Sequence, residues 1–154
     1  MLENISYRLI KPGEEKDAFS IVDRGFDSFI RRDFTTEGAS EFFRAIQYMI
    51  FNHPQNHFTM IALSESEIVG VIVVKEYDHV SVFFVEPSLM GQGIGRGLLD
   101  NSLTICRQNK ADLKEIDVNS SPWAVPVYHK LGFKSDGSEQ EVNGIRFTRM
   151  VKRL

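Results

Sequence analysis

Val85-Glu86-Pro87-Ser88-Leu89-Met90-Gly91-Gln92-Gly93-Ile94-Gly95-Arg96-Gly97 is the stretch on which the reading of this chain turns. Four glycines alternate from Gly91 to Gly97, where an apolar, strand-like run gives way to apolar residues at helical spacing. Glycine in such a turn lets the backbone take φ > 0 and approach a ligand without a Cβ in the way. The free N–H groups of a helix's first turn then converge on one place, and the helix dipole favours an anion there. A pyrophosphate suits that site, with Arg96 adding positive charge at the rim. Two common phosphate motifs do not fit. A P-loop needs Gly-Lys-Ser/Thr where Arg96-Gly97-Leu98 stand, and the dinucleotide fingerprint needs glycine at 96 or 98. The plain alternative is a turn whose glycines only permit tight strand–helix packing, and four in alternation weigh against it.

Outward from this turn the chain reads as one mixed domain. Residues 5–10 form a short strand stopped by Lys11-Pro12-Gly13. Phe19, Val22, Phe26, Phe29 and Ile30 predict a helix from Glu14 to about Arg32, and Phe42, Ala45, Ile46, Met49 and Ile50 a second from about Glu37 to Phe51. His57–Leu63, Ile68–Lys75 and Val80–Val85 are β-branched and aromatic runs joined by turns too short for anything but antiparallel neighbours. A helix from Gly93 to Asn109 follows, then a strand over Lys114–Asn119, a helix from Pro122 to about Leu131, and strands over Phe133–Ser135 and about Glu141–Lys152. The order is β-α-α-β-β-β-α-β-α-β-β, an α/β domain of α+β type with a mixed, mainly antiparallel sheet flanked by helices. Strands 80–85 and 114–119 are joined through a helix, so they should run parallel with a right-handed crossover.

Composition narrows the function. At 154 residues the chain is the size of one domain, 1–154, and its 42% hydrophobic and 25% charged residues are those of an ordinary globular protein. A net charge of −3 disfavours nucleic acid as a partner. No apolar run reaches the ~18 residues of a membrane helix, and the N-terminus lacks a signal-peptide core, so the cytoplasm is the expected compartment. Cys106 is the only cysteine and the four histidines show no paired-ligand spacing, so neither a disulfide nor a metal is expected.

The glycine turn resembles a known family. Gly93-Ile94-Gly95 followed by Arg96-Gly97-Leu98-Leu99, with Val85-x-Pro87 before it, is similar to the acetyl-CoA loop of the GNAT N-acetyltransferase superfamily. That loop reads Arg/Gln-x-x-Gly-x-Gly/Ala. A second block, Asn119 followed by Ala124 and then Tyr128-His129-Lys130-Leu131-Gly132-Phe133, resembles the family's Asn, Ala, Tyr-x-x-x-Gly-Phe signature. Met90 stands where the family usually has Arg or Gln, a position that acts mainly through its backbone N–H.

The resemblance implies a GNAT-like acyl-CoA N-acyltransferase fold and acetyl transfer to a primary amine, on a small molecule or a peptide, with no metal. Acetyl-CoA would be held by Phe84 and Val85 at the strand end, and by Met90, Gly91, Gln92, Gly93, Ile94, Gly95 and Arg96 around the loop. Asn119 and Tyr128 would complete the site. The resemblance also admits a homodimer paired through C-terminal strands. Two other functions fit the same residues: an acyl-CoA-binding sensor without catalysis, to which Met90 points, and transfer of a longer acyl chain. Asn119 and Tyr128 point back to catalysis.

The chemistry makes three demands. A lysine-type ammonium of pKa ≈ 10.4 is under ~0.1% neutral at pH 7, so the amine must lose a proton. The oxyanion needs donors, and the departing thiolate needs an acid. Tyr128, a phenol protonated at neutral pH, suits the last task; its alternative is a core tyrosine sharing a helical face with Val125 and Leu131. Some family members place a Glu fourteen residues before the first motif glycine, where this chain has His79; Glu86 is a weaker candidate, and many members need no dedicated base. Histidine suits base work at neutral pH, and a solvated strand-end histidine is the alternative. Cys106 reads as a buried small hydrophobe rather than a nucleophile, and Trp123 as a packing residue. In the family the run Ser28–Thr35 borders the acceptor cleft, which implies that Phe29, Arg31, Arg32 and Phe34 select the acceptor; a plain loop with buried aromatics is the alternative.

Overall fold

Both faces of the central strands are apolar, and the fold buries both. The computed structural model describes residues 4–154. Its strands are β1 (Ile5–Leu9), β2 (His57–Ser64), β3 (Glu67–Lys75), β4 (His79–Val85), β5 (Glu115–Ser120), β6 (Lys134–Ser135), β7 (Gln140–Val142) and β8 (Ile145–Arg153). They lie side by side as β1-β2-β3-β4-β5-β8-β6, with β7 folded back on β8. Among the described residues only β4 and β5 are parallel neighbours. Helices α1 (Glu15–Gly25) and α2 (Thr36–Asn52) cover one face, and α3 (Ile94–Asn109) and α4 (Val125–Lys130) the other.

Alternation divides the sheet residues between two cores. Ile61, Leu63, Val71, Val73 and Val82 meet Ile21, Phe26, Ile46 and Ile50 on the α1/α2 side. Met60, Ala62, Ile72, Val74, Ile116 and Val118 meet Ile94, Leu98, Leu99 and Leu103 on the other. Neither face of β2 and β3 is wet, which is why those strands read as continuous apolar runs.

Two sequence expectations, the first helix and the last strand, need correction, and the bounds of the second helix are sharpened. The first helix stops being α-helical at Gly25; it widens to a π turn over Phe26–Ile30 and tightens to a 3-10 turn over Arg31–Asp33. The wider turn lets Phe26 and Ile30 both sit in the core while Phe29 swings out to stack on Trp123. Helix α2 begins at the Thr35 cap, whose hydroxyl accepts from Gly38 N–H at 3.0 Å. It runs on through Asn52, because Pro54 denies His53 the α conformation and His53 closes the helix at φ 48 instead. The last long strand is a hairpin: Asn143 and Gly144 both take positive φ (53 and 78), turning β7 back on β8. An Asn-Gly pair is the dipeptide such a two-residue turn favours.

Gly97 of α3 faces the ring of Tyr7, and a Cβ there would overlap the tyrosine hydroxyl. Gly97→Ala is therefore expected to destabilise the fold by about 1–3 kcal/mol through overpacking. Thermal unfolding checks this, at about 2–4 °C of Tm for each kcal/mol.

Candidate active site

The site grows from a parting of two strands. β4 and β5 pair only at His79–Asp117 and Val80–Val118. Beyond that point β4 stays with β3, to Val85 opposite Gly70, while β5 stays with β8, to Ser120 opposite Thr148. The pairing of β3 with β4 slips between Val73 and Val74, which face Val82 and Val80, so Ser81 is an extra, bulged residue. A bulge bends its strand and increases its twist. This one sits where the wedge opens, and it leaves the backbone edge of β4 beyond Val80 without a strand partner.

The glycine turn lies at the far end of that edge. Gly91 and Gly93 have φ of +80 and +88, and nothing lies within 4 Å of where their Cβ atoms would be. Conformation, not crowding, requires glycine there. Gly93 caps α3 without any side chain on the helix's first N–H groups, so those of Ile94, Gly95 and Arg96 stay open to an incoming anion. Gly97 N–H already donates to Gly93 O at 3.0 Å. Arg96 is not simply a charge at the rim: its Nη2 donates to Lys130 O at 2.8 Å, tying α3 to the end of α4. Gln92 is exposed and makes no side-chain hydrogen bond to a described residue. The bland packing reading holds at Gly97 and not at Gly91 or Gly93.

Two cavities flank the wedge. A smaller one of about 80 Å³ lies on the glycine-turn side, lined by Phe29, Val85, Met90, Gly95, Trp123 and Val127 among others. A larger one of about 460 Å³ lies between α2, β4, the β5–α4 segment and the β7–β8 hairpin. Ile30, Phe83, Phe84, Ala124 and Tyr128 line both. Phe29 and Trp123 stack with centroids 4.2 Å apart at 14°, forming a wall of the smaller cavity.

Tyr128 projects from α4 at the junction. Its ring is packed edge-on against Phe83 (6.0 Å) and Phe133 (5.3 Å), and it is buried. Its hydroxyl makes no hydrogen bond to another described residue, yet is not sealed away from the cavities. Burial pushes the phenol well above its ordinary pKa, so it keeps its proton through neutral and mildly alkaline pH. His79, at the start of β4, lines the larger cavity and donates from Nδ1 to Asp117 Oδ1 at 2.7 Å, while its Nε2 bonds to no described residue. The other Asp117 oxygen accepts from Arg149 Nε at 3.0 Å, and Arg149 also grips Asp136. Asn119 is exposed and lines the larger cavity with no side-chain hydrogen bond to a described residue.

Other sequence candidates scatter. Phe34 lines the larger cavity. Arg31 lines neither: it pairs with Asp27 at 2.6 Å and lies over the rings of Phe26 and Phe43. Burial pushes the Cys106 thiol up to about 11, as befits an inert core residue. Among the described residues no His/Cys/Asp/Glu group could hold a metal, and no helix is long and apolar enough to cross a membrane. Residues that sequence reasoning missed are Ser81, Glu41 and the hairpin residues Asn143, Arg146 and Phe147. Asn143-Gly144 and the polar Ser81 inside an apolar run were visible signals; nothing marked Glu41.

A split parallel strand pair feeding a glycine turn and an open helix N-terminus is the arrangement that the resemblance to N-acetyltransferases implies. A family model described as an acetyltransferase (GNAT) domain matches residues 30–154. The chain belongs to the GNAT acetyltransferase family, and so to the acyltransferases. It is 28% identical over 87 residues to the peptidyl-lysine N-acetyltransferase YjaB of Salmonella typhimurium, a match covering 56% of this chain and 57% of that protein. The fold is shared with a structure described as a GCN5-related N-acetyltransferase, aminotransferase class-II, from Rhodopseudomonas palustris. The TM-score is 0.81 at 19% identity, over 100% of this chain and 98% of that one. It is shared too with the PaiA N-acetyltransferase of Thermoplasma acidophilum, solved with coenzyme A, at TM-score 0.80 and 14% identity over 98% and 99% of the two chains.

Proposed function

We propose that residues 1–154 act as one acetyltransferase domain, moving the acetyl group of acetyl-CoA to a primary amine by direct attack in a ternary complex. The observation that carries this reading is the wedge between β4 and β5, with the Tyr128 hydroxyl unbonded beside it. The open N–H groups of α3 bind the pyrophosphate, and Gly91 and Gly93 set their direction. The free edge of β4 through Phe84 and Val85 and the side chain of Asn119 grip the pantetheine arm, while Met90 adds apolar contact. The names of the Salmonella relative and of the coenzyme A complex support the same reaction class.

His79 Nε2 takes a proton from the ammonium, directly or through water, and Asp117 fixes the tautomer that makes this nitrogen the acceptor. The neutral nitrogen attacks the thioester carbon and a C–N bond forms. The carbonyl electron pair moves onto oxygen, where β4 N–H groups stabilise it. Collapse of the intermediate breaks the C–S bond, and Tyr128 gives its proton toward the departing sulfur. Burial makes the phenol a weaker acid and keeps its proton in place until the thiolate forms beside it. As the carbonyl reforms, the nitrogen gives its second proton to water, and solvent carries the proton held by His79 to the Tyr128 phenolate, so one proton is released per turnover.

Thiol release over an amine panel tests the reaction, and His79→Ala tests the base. At pH 7 the variant is expected to lose about 100-fold in kcat/KM. The loss should shrink toward pH 9, because the neutral fraction of a free amine grows about tenfold per pH unit below its pKa. A loss independent of pH would assign His79 to structure alone.

A further inference from the structure

The larger cavity is walled where a polypeptide acceptor would need an open trench. Thr35, just before α2, donates its N–H to Gly144 O at 3.1 Å, fastening the β7–β8 turn to the helix. Gly38 and Gly144 approach so closely that a Cβ on either would overlap the other segment. Two walls of the cavity therefore meet and close it at this end, which leaves less room for a chain that extends both ways from a lysine.

The contents of the cavity point the same way. Its lining is mainly apolar, with Phe34 and Phe42 set edge-to-face at 5.3 Å and Met49, Ile145 and Phe147 around them. At about 460 Å³ it lies within the ~300–1,000 Å³ that hold small-molecule ligands. The pantetheine end takes the part along β4 and Asn119; in the part toward α2 and the hairpin, a lysine butyl stem would leave the rings of Phe34, Phe42 and Phe147 partly uncovered, forfeiting their contact energy. Of the ionisable lining groups, Arg146 is committed to Asp33 and Glu139, and His79 to Asp117. Glu41, exposed on α2, pairs with no described residue.

We infer that the acceptor is a free small molecule: a primary amine carried on an apolar body of aromatic size, drawn in as its ammonium by Glu41. This rests on the acetyl-transfer reading, and calorimetry with acetyl-CoA tests that reading separately. The test compares 2-phenylethylamine with a terminally blocked hexapeptide containing one central lysine. The expected kcat/KM is at least about tenfold higher for 2-phenylethylamine. Its KM should rise several-fold in Glu41→Gln at low salt, with the difference vanishing at high salt.

Trp123 is the only tryptophan and stacks beside the site, so its fluorescence reads amine binding to the CoA complex without turnover. Saturable binding of 2-phenylethylamine, tighter than that of the hexapeptide, supports the inference. A hexapeptide that binds more tightly or turns over as well overturns it while leaving acetyl transfer intact. Absence of acetyl-CoA binding in the calorimeter removes the transfer reading and this inference with it.

Discussion

Tyr128→Phe is expected to lower kcat by about 100-fold or more, the range a positioned acid contributes, while acetyl-CoA affinity stays within about threefold. The variant keeps the ring that packs against Phe83 and Phe133, so the fold should hold. What it removes is a hydroxyl that bonds to no described residue, and losing it strands no buried partner. The effect should thus fall on turnover alone. Because burial raises the phenol pKa above its ordinary value of 10, Tyr128 remains protonated below that pH, and the wild-type rate should show no alkaline limb from it under pH 10. Stopped-flow thiol release with parallel calorimetry separates the two quantities. A Tyr128→Phe enzyme with full kcat would place the tyrosine in the core only.

Gly93→Ala is expected to weaken acetyl-CoA binding by tenfold or more, whereas Gly95→Ala should change it less than about threefold. Gly93 holds φ +88, a left-handed conformation that costs an L-residue roughly 1–2 kcal/mol. Relief of that strain turns the first N–H groups of α3 away from their common target. Gly95 lies within the helix, and its added Cβ would meet Phe83 at 3.7 Å, an ordinary contact. The family pattern, which admits Gly or Ala at this second position, agrees. Equal losses in the two variants would mean that space, not backbone direction, governs the loop.

The contrast between those two glycines shows where sequence reading reaches and where it stops. Alternation of glycines after a strand marked this turn as a candidate anion site, but not that Gly91 and Gly93 serve conformation while Gly97 serves packing against Tyr7. That partner comes from β1, some ninety residues away in the chain. The strand order from β2 to β5 was legible because short turns and one helical crossover leave little choice. The β7–β8 hairpin was not separated, since β-branched and polar residues continue across it and only Asn143-Gly144 marks the turn. The cavity wall that the hairpin builds was missed with it. Arg31 was proposed from its place in a loop, and the π turn instead lays it over Phe26 and Phe43. His79 was reached by counting from the loop; its Asp117 partner lies on another strand, in register, and only the parallel pairing brings the two together.

Acetyl transfer requires the wedge between β4 and β5 to receive an acyl-CoA. Isothermal titration of the wild-type protein with acetyl-CoA tests this most directly. Saturable one-to-one binding, lost or severely weakened in Gly93→Ala, is the predicted result. A wild-type protein that gives no binding heat across temperatures, at concentrations where its fold is intact, would contradict it.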